Sequence, residues 1–363
     1  ADAPAADSAP QSGAASEPHI RSSVGAFPID AESLASYETY LIGCDGVLWG
    51  VARLTADRAV QTVNALLAMG KRILFVTNDS SLTRKACVAR LERLRVRFGG
   101  RRLSDRLAMC ITSAHTTALY LKARGLRHPF VVASDSAVLE ELRAVGIDQY
   151  HATVLDSGEP RREFLSGQQD AGALSRIVAC PWVRRVDCVV VTSDSGFSAR
   201  KVAAAVNILA MADEAGKPPL PLMACSSDRS VVMGTYNGKS GLPLKLRAMG
   251  NGSMAESVSR CFEPPRGWLD LGKPSDALLE LVTHGYRVDA CRALVVGDGL
   301  ATDVVFGNKG RMATLLVLSG ITTRAQVDEA LACAHALHTP AYILPELGTY
   351  AKELAAMARA SGA

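Results

Sequence analysis

Short apolar runs alternate with longer amphipathic segments along most of this chain. The runs are rich in Val, Ile and Leu and are followed by Gly, Asn, Asp or Ser, as is typical of strands buried on both faces. We predict strands at residues 40–42, 72–76, 108–111, 129–133, 187–192, 218–223, 292–296 and 314–318. Strands that alternate with helical segments indicate parallel sheets of the α/β class.

The segments between these runs carry apolar residues at helical spacing, for example Ala56, Val60, Val63 and Leu67. A further helix is predicted to follow residues 77–81 and to end at residue 94. The remaining predicted helices are residues 30–36, 55–69, 114–123, 137–145, 200–214 and 277–284.

Three stretches show neither the apolar runs of strands nor the apolar spacing of helices. Residues 1–26 contain scarcely any large apolar side chain, so they cannot offset the entropy of ordering, and we predict a disordered tail. Residues 156–172 are polar and contain Gly, which predicts a linker, and residues 228–252 are predicted to be rich in loops.

Composition narrows the class of protein. A chain of 363 residues with 48% hydrophobic residues can bury a large core, and its length favours two domains over one. The formal charge is only +4, from 40 basic and 36 acidic residues, which argues against binding to nucleic acid or to a membrane surface. No apolar run reaches the roughly 18 residues of a spanning helix.

The nine cysteines are odd in number and contain no C-x-x-C pair. This usage fits reduced, buried thiols in a cytoplasmic protein better than a disulfide or zinc framework. The cytoplasmic location is an expectation from the absence of a signal segment.

Polar residues cluster where the predicted strands end. The clusters are residues 43–46, 77–81, 193–197, 272–275 and 297–303. Each has an ordinary structural explanation, because Asp-Gly forms turns, Ser and Thr cap helices, and a lysine before proline is usually solvated. Together they place carboxylates, hydroxyls and a lysine at the carboxyl ends of parallel strands, which is where α/β sheets bind ligands.

Four of these clusters resemble the signature motifs of the haloacid dehalogenase superfamily of phosphatases. They read Cys-Asp-Gly-Val-Leu-Trp at 44–49, Thr-Asn-Asp-Ser-Ser at 77–81, Gly-Lys-Pro-Ser at 272–275, and Gly-Asp followed by Thr-Asp at 297–303. The resemblance spans residues 27–354 and is closest to the 4-nitrophenylphosphatase and phosphoglycolate phosphatase branch.

The resemblance implies a doubly wound, Rossmann-like parallel-sheet core with an inserted α/β cap domain. The core would be formed by residues 27–111 and 208–363, and the cap by residues 112–207. Relatives pair through their caps, so a homodimer is also implied. Within the cap, Asp194 would help to select the substrate.

The implied activity is Mg²⁺-dependent hydrolysis of small phosphorylated metabolites, such as phosphoglycolate or 4-nitrophenyl phosphate, through an aspartyl-phosphate intermediate. Asp45 would be the acid/base. Thr77, Asn78 and Lys273 would hold the phosphoryl group. The magnesium ion would be bound by Asp298 and by the backbone carbonyl of Asp45, with Asp303 in support. A hard cation with oxygen ligands suits these residue types.

One position departs from this pattern. Where the family carries its nucleophilic Asp, this chain has Gly43, which removes the attacking oxygen and one magnesium ligand. Deleting a covalent nucleophile costs on the order of 10⁶ in turnover, roughly 8 kcal/mol of barrier. A glycine inside a strand weakens that strand by roughly 0.5–1 kcal/mol, so the stability of the strand does not explain why glycine occupies position 43.

Two hypotheses therefore stand at this point. The chain is either a phosphatase whose turnover is lost or severely reduced, with slow direct attack by water, or a pseudophosphatase that binds a phosphorylated ligand or a partner protein without hydrolysis.

Overall fold

The computed structural model describes residues 27–165, 171–216, 218–237, 243–333 and 335–361. The predicted tail, residues 1–26, lies outside the described residues. Within them, no helix is both long and apolar enough to cross a membrane.

The strands number thirteen within the described residues. They are β1 (Thr39–Gly43), β2 (Arg72–Thr77), β3 (Cys110–Thr112), β4 (Pro129–Val132), β5 (His151–Ala152), β6 (Cys188–Val191), β7 (Leu222–Ala224), β8 (Ser230–Asn237), β9 (Pro243–Met249), β10 (Trp268–Asp270), β11 (Ala293–Gly297), β12 (Ala313–Val317) and β13 (Tyr342–Leu344).

The α-helices pack around these strands. They are α1 (Ala31–Ser36), α2 (Arg53–Ala68), α3 (Arg84–Arg93), α4 (Leu103–Ala108), α5 (Ser113–Ala123), α6 (Ala137–Ala144), α7 (Ala171–Val178), α8 (Ala199–Glu214), α9 (Asn251–Ser259), α10 (Asp276–Glu280), α11 (Val305–Lys309), α12 (Arg324–Ala332) and α13 (Ala351–Ala360). Short 3₁₀ turns occupy Arg162–Phe164, Val183–Arg185, Ala290–Arg292, Ala336–His338 and Leu347–Tyr350, and π turns occupy Leu281–Gly285 and Leu300–Val304.

The first sheet has six parallel strands in the order β13-β12-β11-β1-β2-β3. Because β1 lies at the centre and the chain winds outward on both sides of it, the predicted doubly wound topology is confirmed. Ile42 in β1 is in register with Val296 in β11 and with Phe75 in β2. The polar segments that follow these strands therefore meet at one edge of the sheet, at the point where the strand order reverses.

Both faces of this sheet are buried. Tyr40 and Ile42 pack on one face in a core cluster with residues of α2 and α13, whereas Leu41 points into a second cluster that includes Leu278 and Phe306. Alternate residues of one strand thus serve opposite layers of helices, which explains why the strands read as continuous apolar runs.

A second parallel sheet has the order β10-β7-β6-β4-β5. It contains the strands predicted at residues 129–133, 187–192 and 218–223. The sheet does not end at the predicted boundary of residue 207, because β7 pairs with β6, and β10 pairs with β7. A structural unit built on this sheet extends to Asp270.

Two predicted loops contain regular structure. Residues 228–252 hold the antiparallel hairpin of β8 and β9, which the alternation of Leu and basic residues at 244–247 could have revealed. In the predicted linker 156–172, the 3₁₀ turn Arg162–Phe164 anchors the chain through Phe164, which is 2% exposed.

A buried carboxylate joins the two sheet units. Glu141 of α6 accepts hydrogen bonds from the backbone N–H of Arg84 (2.8 Å) and from its Nε (3.1 Å), and it lies 3.0 Å from Nδ1 of His115. Arg84 begins α3, so a side chain from the second unit caps a helix of the first. Burial alone would raise the pKa of Glu141, but hydrogen bonds from His115 and Arg84 outweigh it and the pKa is lowered.

We expect Glu141→Ala to lower the free energy of unfolding by on the order of 3 kcal/mol, because it strands Arg84 and His115 without their partner. Urea unfolding at pH 7 measures this. The matched control is Glu140→Ala on the exposed side of the same helix, which should stay within about 0.5 kcal/mol of the wild type.

Because the pKa of Glu141 is lowered on folding, its contribution is present above the ordinary value of 4.5 and is lost as pH falls through the lowered value. The difference in free energy of unfolding between wild type and Glu141→Ala should therefore become smaller below pH 4.5. A gap that stayed constant down to pH 3 would contradict this assignment.

Candidate functional site

The turn after β1 holds Asp45 in a fixed position. The carbonyl of Cys44 accepts hydrogen bonds from the N–H groups of Leu48 and Trp49, and the N–H of Gly46 donates to the carbonyl of Trp49 at 2.8 Å. The indole Nε1 of Trp49 donates to Oδ1 of Asp45 at 2.8 Å. Asp45 as a residue stays exposed, but burial of its carboxyl group raises the pKa of that group, and the bonded indole fixes its orientation.

The segment after β2 meets this turn. Thr77 Oγ1 donates to Oδ2 of Asp45 at 3.0 Å and accepts from the N–H of Asp79 at 3.0 Å. Asn78 uses its side-chain amide to hold the backbone of Lys273, accepting from the Lys273 N–H at 2.7 Å and donating to its carbonyl at 3.1 Å. Two motifs that lie 195 residues apart are thus joined by one amide.

Lys273 and Asp303 form a buried ion pair. The Nζ of Lys273 lies 2.6 Å from Oδ1 of Asp303 and donates to the carbonyl of Val76 at 3.0 Å, and both charged residues are buried. Burial alone would lower the pKa of Lys273, but the Asp303 carboxylate outweighs it, so the pKa is raised and the lysine stays charged.

Asp298 follows β11 and is also buried. Its Oδ2 accepts from the N–H of Ile321 at 2.9 Å, and its backbone carbonyl accepts from Thr322 Oγ1. Burial, and then the nearby charge of Asp303, raise the pKa of Asp298 to about 7. The site therefore carries more negative charge than its one lysine balances.

Glycines make the close approach around Asp298 feasible. A Cβ on Gly46 would lie 2.0 Å from Oδ2 of Asp298, and a Cβ on Gly320 would lie 1.9 Å from the same atom. Ser319 adds a hydrogen bond from its Oγ to the carbonyl of Gly46 at 2.6 Å. The segment after β12 thus packs directly against the turn after β1.

Gly43 is buried at the end of β1. A Cβ at this position would lie 3.3 Å from Oδ1 of Asp303 and 3.3 Å from the carbonyl oxygen of Val296, so a side chain here would point at the Lys273–Asp303 ion pair. The carboxylate found next to this direction is that of Asp303, and its Oδ1 is bound to Lys273.

The structure brings together all six core side chains predicted from the sequence, and they connect as a hydrogen-bonded and electrostatic network. These residues are Asp45, Thr77, Asn78, Lys273, Asp298 and Asp303.

Asp194, predicted in the second unit, lies outside this network. Both of its carboxylate oxygens are bound by Lys201 Nζ, at 2.8 and 2.6 Å, and the pair is buried. The adjacent Ser193 does reach the first unit, because its N–H donates to Oγ of Ser80 at 2.9 Å.

Sequence reasoning missed Asp228. Its Oδ2 accepts from Nδ2 of Asn78 at 3.1 Å, which places a carboxylate of the second unit beside the segment after β2. Burial raises the pKa of Asp228. No local signal marks this residue, since it sits in a stretch without helical or strand period and its partner is 150 residues away.

The acidic residues fit a hard divalent cation. Among the described residues, no group of three His, Cys, Asp or Glu side chains could hold a metal ion. However, Mg²⁺ commonly uses one or two carboxylates and completes its shell with water and phosphate oxygens. Burial, and then the charge of Asp303, raise the pKa of Asp298, and a cation bound beside these carboxylates would favour their charged forms.

We expect Gly46→Ala to destabilise the protein more than Gly70→Ala does. Both glycines have positive φ, at +72° and +74°, so each substitution should cost about 1–2 kcal/mol of backbone strain. Only the Gly46 variant adds a collision with Asp298, since nothing lies within 4 Å of a Cβ at Gly70. Urea unfolding compares the two, and equal losses would mean that the turn can move away from Asp298.

Comparisons with known proteins agree with this geometry. A family model described as haloacid dehalogenase-like hydrolase matches residues 40–148, and a HAD-hydrolase-like model matches residues 270–349. Glycerol-3-phosphate phosphatase of Rattus norvegicus is 32% identical over 299 residues, which cover 81% of this chain and 83% of that protein. Chronophin of Homo sapiens is 30% identical over 316 residues, covering 85% and 90%.

Solved structures share the fold. A p-nitrophenyl phosphatase from Archaeoglobus fulgidus superposes with a TM-score of 0.60 at 20% identity, covering 88% of this chain and 99% of that one. Glycerol phosphate phosphatase of Mycobacterium tuberculosis, solved in complex with magnesium, gives a TM-score of 0.57 at 23% identity, covering 86% and 75%. The chain therefore belongs to the haloacid dehalogenase-like hydrolases, and the relatives that it resembles in that family are phosphatases.

Proposed function

We propose that this chain binds a small phosphorylated metabolite at the carboxyl end of the first sheet, and that its phosphatase turnover is lost or severely reduced. The observation that carries the proposal is the position of Gly43. A side chain there would point at the Lys273–Asp303 pair, where the family's attacking carboxylate is expected, and glycine supplies no oxygen. The relatives named glycerol-3-phosphate phosphatase and p-nitrophenyl phosphatase support a phosphate monoester as ligand.

In this proposal Thr77, Asn78 and Lys273 hold the phosphoryl oxygens. The Thr77 hydroxyl, which donates to Asp45 in the structure, would turn to the phosphoryl group, and Lys273 brings a positive charge that Asp303 keeps in place. A phosphoryl group spreads its negative charge over several oxygens, so donors and a cation aimed at one point suit it.

Asp298, with the backbone carbonyl of Asp45 and with Asp303 in support, would hold Mg²⁺. The ion would neutralise phosphate charge when bound. The chain lacks the carboxylate ligand that an Asp at position 43 would add, and we therefore expect weaker metal binding than in a relative that has it.

Asp45 keeps the position of a general acid/base. Trp49 and Thr77 fix the orientation of its carboxyl group, and burial raises the pKa of that group. It can donate a proton to a leaving group, or accept one from water, without further rearrangement. Turnover that remains would therefore be direct attack by water with Asp45 as the base.

The second sheet unit would act as the cap over this site. Ser193 and Asp228 already contact the segment after β2, which is the expected position of a lid. We propose that the cap runs from residue 112, where β3 of the first sheet ends, to residue 270, where β10 of the second sheet ends, and not to 207. Asp194 would then influence substrate choice through Lys201 and the loop at Ser193, and pairing of two chains through their caps remains part of the proposal.

The alternative from a different class is a pseudophosphatase that uses the same pocket for binding alone. It shares the phosphate contacts and differs in the predicted turnover. The absence of an oxygen at position 43 favours it, whereas the retained orientation of Asp45 favours residual hydrolysis.

We expect Gly43→Asp to raise hydrolysis of 4-nitrophenyl phosphate with Mg²⁺ by several orders of magnitude, up to about 10⁶, because it restores the attacking oxygen. The new Cβ would lie 3.3 Å from Oδ1 of Asp303 and from the carbonyl oxygen of Val296, so these neighbours must move by a few tenths of an ångström. Release of 4-nitrophenol measures the rate.

Gly43→Asn is the matched control, since it adds the same volume without a nucleophilic carboxylate and should stay at the wild-type rate. Equal, robust rates for wild type and Gly43→Asp would overturn the proposal that turnover is lost.

We expect inorganic phosphate to bind the wild type and to bind Lys273→Met and Thr77→Val more weakly, because each removes a donor or charge from the phosphoryl pocket. Isothermal titration measures the affinities. Thr77→Val keeps the shape of the side chain, so weaker phosphate binding by this variant would not be caused by unfolding. Lys352→Met in α13 is the control for loss of an exposed lysine. Unchanged affinity in both pocket variants would place phosphate elsewhere.

A further inference from the structure

A histidine pair lies outside the phosphoryl site, on the turn between α12 and β13. Nδ1 of His335 is 3.0 Å from Nδ1 of His338, and the ring centroids are 4.6 Å apart at an angle of 74°. His335 is exposed and His338 is half-buried. Two imidazole nitrogens therefore face each other at the protein surface.

The backbone that carries these rings is held in place by one side chain. Nδ2 of Asn308, in α11, donates to three carbonyls of the turn, at 3.2, 3.0 and 2.9 Å, those of Ala336, Leu337 and Thr339. The His338 N–H also donates to the carbonyl of His335 at 2.9 Å. A turn fixed by several hydrogen bonds presents both rings with little entropy left to lose on binding.

The chemistry of the pair suits metal ligation. Neutral imidazole is the form that binds Zn²⁺, Ni²⁺ and Cu²⁺.

We propose that His335 and His338 form a two-imidazole binding site for a divalent transition-metal ion of the Cu²⁺ or Ni²⁺ type, with water at the remaining positions. Metal–nitrogen bonds are about 2.0–2.1 Å, so two ligands at a right angle are about 3 Å apart, and two at a tetrahedral angle about 3.4 Å. The observed 3.0 Å fits adjacent positions of a tetragonal ion, the geometry that Cu²⁺ and Ni²⁺ prefer.

The same 3.0 Å also fits an N–H···N hydrogen bond between neutral rings. Metal binding breaks that bond, and the donating ring then carries its proton on Nε2 instead of Nδ1. Within the described residues no third His, Cys, Asp or Glu completes a three-ligand group. Cys333 lies two residues earlier and is exposed, but the structure gives it no place in the site.

Titration of the full chain with NiCl₂, and separately with CuCl₂, tests the site by calorimetry. We expect His335→Gln and His338→Gln each to weaken one binding event by at least about tenfold, since even an outer-shell partner is worth about 10–100-fold in affinity. His284→Gln, another exposed histidine, should leave this event unchanged. Cu²⁺ should bind more tightly than Ni²⁺, as the general order of affinities for nitrogen ligands predicts.

Two further variants test how the site is built. Asn308→Ala releases the turn without touching either ring, and we expect it to weaken Ni²⁺ binding relative to His284→Gln. Cys333→Ser should leave binding unchanged, and a fall of more than tenfold would overturn the two-imidazole composition. Identical affinity and stoichiometry in wild type and the His335→Gln/His338→Gln double variant would overturn the proposal itself.

Discussion

The buried ion pair between Lys273 and Asp303 is the interaction on which the site depends. Lys273 arrives from the segment before α10 and Asp303 from the π turn after β11, so one contact joins two motifs that are 30 residues apart. Two charges out of water are tolerated only when each is paired and hydrogen-bonded. Lys273 also donates to Val76, and Asp303 accepts from the N–H of Gly299, which meets that condition.

This pair also explains how the fold tolerates glycine at position 43. Without Asp303, a carboxylate at position 43 would be needed to neutralise the charge of Lys273. Asp303 already neutralises that charge. Removing a negative charge from a region where the pKa of Asp298 is raised, by burial and by Asp303, relieves repulsion. In the proposed function, glycine at position 43 therefore removes the attacking oxygen while leaving the surrounding electrostatics more nearly balanced.

Local residue patterns predicted the parts of this arrangement that local chemistry determines. Strand β1 and the polar clusters after β1, β2 and β11 follow from apolar runs that end in glycine and carboxylates, and parallel pairing brings those ends together. The contacts between Asn78 and Asp228 and between Arg84 and Glu141 did not follow. They join residues 150 and 57 positions apart, and Asp228, Arg84 and Glu141 each look like an ordinary surface residue in their own segment.

Those long-range contacts converge on one short stretch, the segment from β2 to the start of α3. Asn78 is held by Asp228, Ser80 accepts from Ser193 and Asn251, and Arg84 is capped by Glu141. Asn78 also holds the backbone of Lys273. Because two of the three proposed phosphate ligands, Thr77 and Asn78, lie in the same segment that fastens the second sheet unit to the first, an anion bound as proposed would act directly on the junction. In the proposed function, occupancy of the pocket and the placement of the second unit would therefore be coupled by contact, whether or not any bond in the ligand is broken.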